Sequence, residues 1–405
     1  MLVALRQDGT QLVLVSPNRT REQLLAERAA GRFVCPVCRH FVQLKIGMKK
    51  QPHFAHYPRH CCVEQSEPET VQHLAGKADI YQWSNRHGYR AVLEHYLPQL
   101  RQRADVFLPG IEPVAFEYQC SSLSEELYNG RTAGYYRAGI NPVWLLGGNR
   151  LRLRAERLFL STFEFAAIRS RPSAGNTSSS FSSPFFLCYY DSDHKLFRFF
   201  TNLHACTKST LISQEIVYRL EEICPHQLLY PPINDNIETF RTHWLMLKQK
   251  QRLACYRHVD DETGWLRNQA YKLHYSLSFY PAFCGLPHHQ YLHFLNPPYL
   301  WQTWICYVLA QMPGRSITIP QIFRITERRH GQALFTERRL PLVPAQNRLS
   351  LVRIYLNQLT QLGVVVRTGD AYAYIGKSLQ TVTSLQLLFK QDSYYFNRLI
   401  GKRDE

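Results

Sequence analysis

The sequence lacks any apolar run near the roughly 20 residues needed to cross a bilayer. It is also short of acids, with 31 Asp and Glu against 48 Lys and Arg. The first absence excludes a helical membrane span. The opening stretch MLVALRQDGTQLV has no long apolar run behind a basic start, so it does not read as a secretory leader, and a soluble, cytoplasmic protein is expected. The second absence leaves a formal charge of +17. That balance favours polyanionic partners through counterion release, nucleic acid first, over a purely solubilising basic surface. No internal repeat is visible. What is present is globular in composition, 45% apolar and 13% aromatic, and 405 residues are enough for two or three domains. The 11 Cys are odd in number, which fits reduced thiols and metal ligation better than a disulfide framework.

Apolar positions in Leu2–Leu5 and Leu12–Val15, joined by Asp8 and Gly9, predict a β-hairpin. A helix is expected over Thr20–Ala30, capped by Thr20 and ended by Gly31. The segment Phe33–Cys62 is dense in Cys and His, and the composition of Ser170–Ser183 marks a linker or exposed loop. Four parts follow: an N-terminal hairpin, helix and zinc module over 1–64, a core domain over 65–165, a Ser-rich linker over 166–184, and a mostly helical C-terminal domain over 185–405.

Cys35-Pro-Val-Cys38 sets two thiols on a tight turn, and His53, His56, Cys61 and Cys62 offer the remaining ligands of a tetrahedral zinc site. The expected set is Cys35, Cys38, His56 and Cys61, with His53 and Cys62 as substitutes. A redox pair or buried unligated thiols are the alternatives. Downstream, Val71, Leu74, Ala78 and Tyr81 follow helical spacing, which puts Glu69 and His73 one turn apart on one face. β-like stretches follow at Ala91–Leu97, Arg103–Leu108 and Val114–Tyr118, then a helix over Ser124–Ala138 and a strand over Pro142–Leu146. The short connection Pro109–Pro113 predicts that the second and third strands are antiparallel neighbours. Asp105 would then face Glu117 and Gln119, two carboxylates and an amide suited to Mg²⁺ or Mn²⁺.

The order helix, three strands, helix, strand, with Asp105 and Glu117-x-Gln119 on central strands, resembles the PD-(D/E)XK nuclease superfamily. Gln119 stands where that pattern usually has Lys. The N-terminal half is similar to the competence protein CoiA family in Phe33–Cys38, His53-Phe-Ala-His56, Glu69–His73 with Gly76-Lys77, Arg103-Ala-Asp105 and Phe116-Glu117-Tyr-Gln119. Arg131-Thr132, Tyr135 and Val143-Trp144 also fit. The resemblance implies a restriction-endonuclease-like α/β core, a mixed sheet flanked by helices. It implies a nuclease acting on transforming DNA during recombination, with single-stranded DNA or recombination intermediates and recombination proteins as partners. It assigns Asp105 and Glu117 as metal ligands, Gln119 as the third strand residue, and Glu69 and His73 as helix-borne partners. Lys77, Glu94 and Arg103 are further candidates near the site, or ordinary solvated charges. The rival readings are a catalytically silent DNA-binding accessory, and a zinc-dependent protein scaffold with a neutral or acidic surface around Asp105.

In the C-terminal half, Phe279–Pro287 and Trp301-Gln-x-Trp304 look like the continuation of the same family, an α-rich region. His288, His289 and His293 near Cys284 fit no common zinc spacing, and the aromatics are expected in a core more than as stacking platforms for bases. The arginines Arg324, Arg328, Arg329, Arg338 and Arg339 form a basic cluster suited to nucleic acid or to a solvated helix face.

Overall fold

Short alternating strands and one well-capped helix build the N-terminal region. The computed structural model describes residues 1–15, 19–48, 50–57, 69–155, 157–171, 183–232, 236–256, 260–376, 379 and 384–401. β1 (Val3–Leu5) and β2 (Gln11–Val13) pair antiparallel as the expected hairpin. Asp8 closes its turn by accepting from the Thr10 N–H and hydroxyl at 2.9 and 2.6 Å. α1 (Arg21–Ala30) starts at Thr20, whose hydroxyl accepts from the Gln23 N–H while the Gln23 side chain accepts from the Thr20 N–H. This reciprocal bonding satisfies two donors that a helix start leaves open. β3 (Phe33–Val34), β4 (Phe41–Lys45) and β5 (His53–His56) complete an antiparallel sheet in the order β2-β1-β3-β4-β5. Leu12, Leu24, Phe33, Val42, Leu44 and Phe54 form its core.

The next elements form a mixed sheet with helices packed on it. α2 (Val71–Arg86) begins at Thr70, whose hydroxyl accepts from the His73 N–H at 3.1 Å. Glu69 therefore precedes the cap, and the expectation that Glu69 and His73 share one helical face is corrected. A residue ahead of the cap has no helical periodicity to follow. β6 (Val92–Leu97), β7 (Gln102–Leu108) and β8 (Val114–Gln119) run antiparallel in that order. α3 (Glu125–Arg137) is capped by Ser124, and β9 (Asn141–Gly147) lies parallel to β8 with Glu117 opposite Trp144. Side chains alternate along β8. Tyr118 packs under α2, where a Cβ on Gly76 would lie 2.0 Å from its ring. The preceding Glu117 points to α3.

β10 (Leu153–Arg154), β11 (Arg157–Phe159), α4 (Thr162–Ala166) and β12 (Arg169–Ser170) follow. The Ser-rich stretch falls largely at 172–182, outside the described residues. Where a mostly helical domain was expected from residue 185, the chain instead forms three long strands, β13 (Phe185–Asp191), β14 (Leu196–Ala205) and β15 (Thr210–Arg219). The cause is legible in Phe185-Phe-Leu-Cys-Tyr-Tyr190, a run of β-favouring aromatics buried on both faces.

The chain divides into two units. The first holds Met1–Leu151, Leu187–Phe199 and Glu215–Pro232, and in it the Leu187–Asp191 part of β13 lies parallel to β9. The second holds Arg152–Phe186, Phe200–Gln214 and Ile233–Glu405. Its helices are α5 (Ile237–Ala254), α6 (Asp261–Lys272), α7 (Pro298–Ala310), α8 (Ile319–Arg328), α9 (Arg348–Gln361) and α10 (Leu385–Leu399), with a small sheet of β16 (Ile317–Thr318), β17 (Val365–Thr368) and β18 (Ala371–Tyr374). Tyr291, Phe294, Trp301 and Trp304 are core residues of this unit. His288 stacks on His289, and His293 lies edge-on to Phe185. Cys284 lies 3.5 Å from the Tyr355 hydroxyl. Arg338 is removed from the expected basic cluster. Its guanidinium lies 3.7 Å from the centre of the Phe165 ring and donates to the carbonyls of Leu292 and Lys208, and burial pushes its pKa down to about 9.

Gly76→Ala is expected to destabilise the protein by about 1–3 kcal/mol, because the added methyl overlaps the Tyr118 ring. Gly130→Ala, on the open side of α3 with nothing within 4 Å of the new Cβ, is expected to stabilise it by about 0.5–1 kcal/mol. Urea denaturation of both variants reads the contrast.

Candidate functional site

Three parts of the first unit deliver carboxylates to one buried cation. Lys77, on the inner face of α2, has no accessible surface. Its ammonium donates to Glu69, just ahead of the Thr70 cap, and to Glu94 of β6 at 2.6 Å, and it lies 3.8 Å from Asp105 Oδ1 on β7. Burial alone would lower the Lys77 pKa; the Glu69, Glu94 and Asp105 charges outweigh it and raise it. Burial would likewise raise the three carboxyls, yet Lys77 holds Glu69 and Glu94 below the ordinary range. Glu94 also accepts from the backbone N–H groups of Leu2 and Val3 at 2.9 and 3.2 Å, and Glu69 from the Met1 amine. The backbone at Glu94 is left-handed, φ 51°, in the middle of a strand. Strain of this kind persists where surrounding bonds over-determine it.

Asp105 has a second set of partners. The β7–β8 ladder is regular from Leu108↔Val114 to Val106↔Phe116, and the next pair in that register is Asp105 and Glu117. There the side chain of Asp105 takes over a backbone role, with Oδ2 accepting from the Tyr118 N–H at 2.9 Å. The same oxygen lies 3.3 Å from His73 Nε2. Burial opposes ionisation of Asp105, but His73, Lys77 and the Tyr118 N–H together hold its carboxyl well below the usual carboxylate range.

Glu117 is 3% exposed and turns to α3. Its Oε1 accepts from the Arg131 guanidinium and the Tyr135 hydroxyl, and Arg131 also donates to the Arg103 carbonyl at 3.1 Å. Burial, with repulsion from Asp105, raises the Glu117 pKa despite these donors. Arg131 and Tyr135 were not foreseen as site residues. Their i, i+4 spacing on one face of α3 is the signal that finds them once α3 is known to cover β8. Gln119, one strand position beyond Tyr118, donates to the Ser121 carbonyl and hydroxyl at 3.0 and 3.2 Å. Lys77 and Glu94, weighed against solvated charges, prove to be buried members of the same network and Arg103 a half-buried one; burial opposes the Arg103 charge, and Glu94, Glu69 and Asp105 raise its pKa.

A second cluster lies in the N-terminal sheet. The turn after β3 brings Cys35 and Cys38 together. The Cys35 N–H donates to the His40 carbonyl, and Arg39, left-handed at φ 62°, reverses the chain into β4. His56, at the end of β5 opposite Val42, places Nε2 3.3 Å from Cys38 Sγ. The ligand atoms of Cys35, Cys38 and His56 all lie within 4.8 Å of one another, the one such set of three among the described residues. His53 is not in it: its Nδ1 faces the Gln51 carbonyl at 3.0 Å, because it alternates to the other side of β5 from Phe54 and pairs with Lys45 near the sheet's far end. Cys61 and Cys62 fall outside the described residues.

Removal of the Lys77 charge is expected to reverse the response of the protein to acid. In the wild type, the depressed pKa values of Glu69, Glu94 and Asp105 give stability that is present above about pH 4 and is lost as pH falls below it. Lys77→Met takes from Glu69, Glu94 and Asp105 the cation they share and is expected to cost about 3–5 kcal/mol at pH 7. Their folded pKa values then rise above the unfolded ones, so stability recovers as pH falls towards 5. Denaturation curves at pH 7 and 5 that move in parallel for wild type and variant would refute this electrostatic account.

Comparisons with known proteins bear on this arrangement. Residues 69–233 match the family model described as competence protein CoiA, nuclease-like domain. Residues 17–64 match the CoiA N-terminal domain and residues 240–386 the CoiA C-terminal domain. Competence protein CoiA of Bacillus subtilis (strain 168) is 28% identical over 291 residues, which cover 71% of this chain and 74% of that protein. No solved structure gives a significant match. With N-terminal, nuclease-like and C-terminal domains matched in order along it, the chain belongs to the competence protein CoiA family.

Proposed function

We propose that the protein is a metal-dependent deoxyribonuclease that processes DNA for recombination during competence, with a structural zinc ion in its N-terminal sheet. The observation that carries this reading is the pair Asp105 and Glu117, opposite each other where the β7–β8 register continues past Val106↔Phe116, the first half-buried and the second buried within the nuclease-like domain, and balanced by Lys77 and Arg131. Mg²⁺ or Mn²⁺ is the fitting ion, since the donors are hard carboxylate oxygens and such ions keep several waters beside one or two protein carboxylates. Asp105 and Glu117 would hold it, through oxygens not already engaged with Tyr118, Arg131 and Tyr135. Bound there, the ion supplies an activated water and neutralises phosphodiester charge.

The chain's own groups have separate tasks in this reading. Lys77 and the Tyr118 N–H keep Asp105 ionised and pointed. His73, against Asp105 Oδ2, is placed to take or return a proton. Gln119 carries no charge and orients phosphate or water. DNA, single-stranded or as recombination intermediates, is the partner, and recombination proteins are the expected company. A second reading, a DNA-binding accessory that does not cut, draws on two observations: Glu117 Oε1 is already held by two donors, and Gln119 stands where the usual lysine would be. Among the described residues no helix is long and apolar enough to cross a membrane.

Cleavage of end-labelled single-stranded, duplex and branched DNA with Mg²⁺ or Mn²⁺ tests the reading. Asp105→Asn and Glu117→Gln, which keep an acceptor oxygen, are each expected to lower cutting on the order of a hundredfold or more while DNA binding persists. Wild-type protein that binds these DNAs and cuts none of them establishes the accessory reading instead. For zinc, Cys38→Ser is expected to release about one metal ion per chain and to lower the melting temperature; metal analysis that finds no zinc in the wild-type protein rules the structural ion out.

A further inference from the structure

The end of the second unit has an order of elements that the mechanism above does not use. α7 is followed by the short strand β16, then α8, α9 and the hairpin β17–β18, and the sheet order is β16-β18-β17. β16 pairs with β18 at Ile317↔Tyr372 and Thr318↔Ala371, and the hairpin turns at Gly369-Asp370, with Gly369 left-handed at φ 61°. Three helices, a small sheet and a hairpin after the last helix follow the element order of a winged helix, here with residues 329–347, including a 3₁₀ turn at Gln332–Phe335, in place of the short turn between α8 and α9. In such folds the second helix of the pair enters the major groove. Here that helix is α9.

The two sides of α9 differ sharply. Leu351, Val352, Tyr355, Leu356 and Leu359 are fully buried in the core of the unit. Leu349, Arg353, Asn357 and Gln361 recur every fourth residue and are exposed, forming a stripe on the other side. Arg324 and Arg328 are exposed on α8, and Val366, Arg367 and Thr368 are exposed on β17. From Arg315 to Tyr374 the sequence has nine Arg, no Lys and three acids, Glu327, Glu337 and Asp370. Arg324, Arg328 and Arg353 have no carboxylate partner among the described residues, so their charge is available to a ligand.

We infer that Pro298–Tyr374 is a winged-helix module that grips double-stranded DNA, with α9 in the major groove and the β17–β18 hairpin along the adjacent backbone. The stripe carries the side-chain types that meet base edges and phosphates, Arg, Asn and Gln. It carries no aromatic residue, so it offers nothing on which the bases of a single strand would stack. With Leu349 as its one apolar residue, it also lacks the buried anchor that a protein partner needs. The inference rests on the reading of the chain as a DNA-processing protein, but on residues separate from Asp105 and Glu117. It gives the protein a duplex-holding element of its own.

The test uses the full chain without divalent metal, measured by fluorescence anisotropy on a short DNA duplex, the matching single strand and the matching RNA duplex. The triple variant Arg324→Glu, Arg353→Glu, Arg367→Glu is compared with a charge-matched control, Arg28→Glu, Arg90→Glu, Arg137→Glu. Thermal melting checks that both fold. The first variant is expected to bind duplex DNA more than about tenfold less tightly, with the slope of log K against log salt shallower by roughly two to three. Single-strand binding and metal-dependent cutting of a single strand should stay at wild-type level in that variant, and duplex binding should stay at wild-type level in the control. Unchanged duplex affinity and salt slope in the first variant, an equal loss in the control, or equal affinity for the RNA duplex would each overturn the inference. Wild-type protein that holds duplex DNA through these arginines and cuts no DNA would sink the nuclease reading and leave this one standing.

Discussion

An ammonium group shut off from water is the constraint on which the first unit depends. A lysine charge in such a place is tolerable only when opposite charges come to it, and the three that do arrive from separate stretches: Glu69 ahead of α2, Glu94 on β6 and Asp105 on β7. None of these stretches can shift without stranding Lys77. The arrangement fixes the start of α2 against two strands and leaves Asp105 with its proton removed. Glu117 has a parallel attachment on the opposite side, where Arg131 and Tyr135 tie α3 to β8. One buried and one half-buried cation, on two helices, thus bracket the two carboxylates of the candidate site.

What could be read from the sequence follows from how local each signal is. The antiparallel relation of β7 and β8 was legible in Pro109–Pro113, because a short turn leaves neighbouring strands no other pairing. Thr20 announced its helix, since capping is decided within four residues. Glu69 was misread because helical spacing was extended one residue past a threonine that stops it. The strands at Phe185–Arg219 were missed because aromatic runs suit a buried helix as well as a buried strand, and tertiary packing decides. Arg338 looked like its neighbours in sequence, yet it alone meets the Phe165 ring. Arg131 and Tyr135 matched the family's text without revealing a role, because their function is a contact with a neighbouring strand that helical spacing alone does not describe.

The protein uses its positive charge in two physical settings. Lys77 is buried and Arg103 and Arg131 are half-buried, where they set the ionisation of particular carboxylates at short range and are less affected by salt than exposed charges. Arg324, Arg328 and Arg353 are exposed, where water and salt screen them and only an array of them has consequence. A net charge of +17 does not distinguish these settings. Burial and bonded partners do.

Glu94 also joins two equilibria that a diagram of domains would keep apart. One of its oxygens faces Lys77, and the other holds the N–H groups of Leu2 and Val3, so β1 of the Cys- and His-bearing sheet is bonded to the strand beside Asp105. Order in the N-terminal sheet and proton affinity at the carboxylate cluster are therefore linked functions. By thermodynamic reciprocity, whatever tightens one changes the other by the same free energy, and an ion seated at Cys35, Cys38 and His56 would be registered at the far side of the sheet as a change in how readily the cluster takes up a proton.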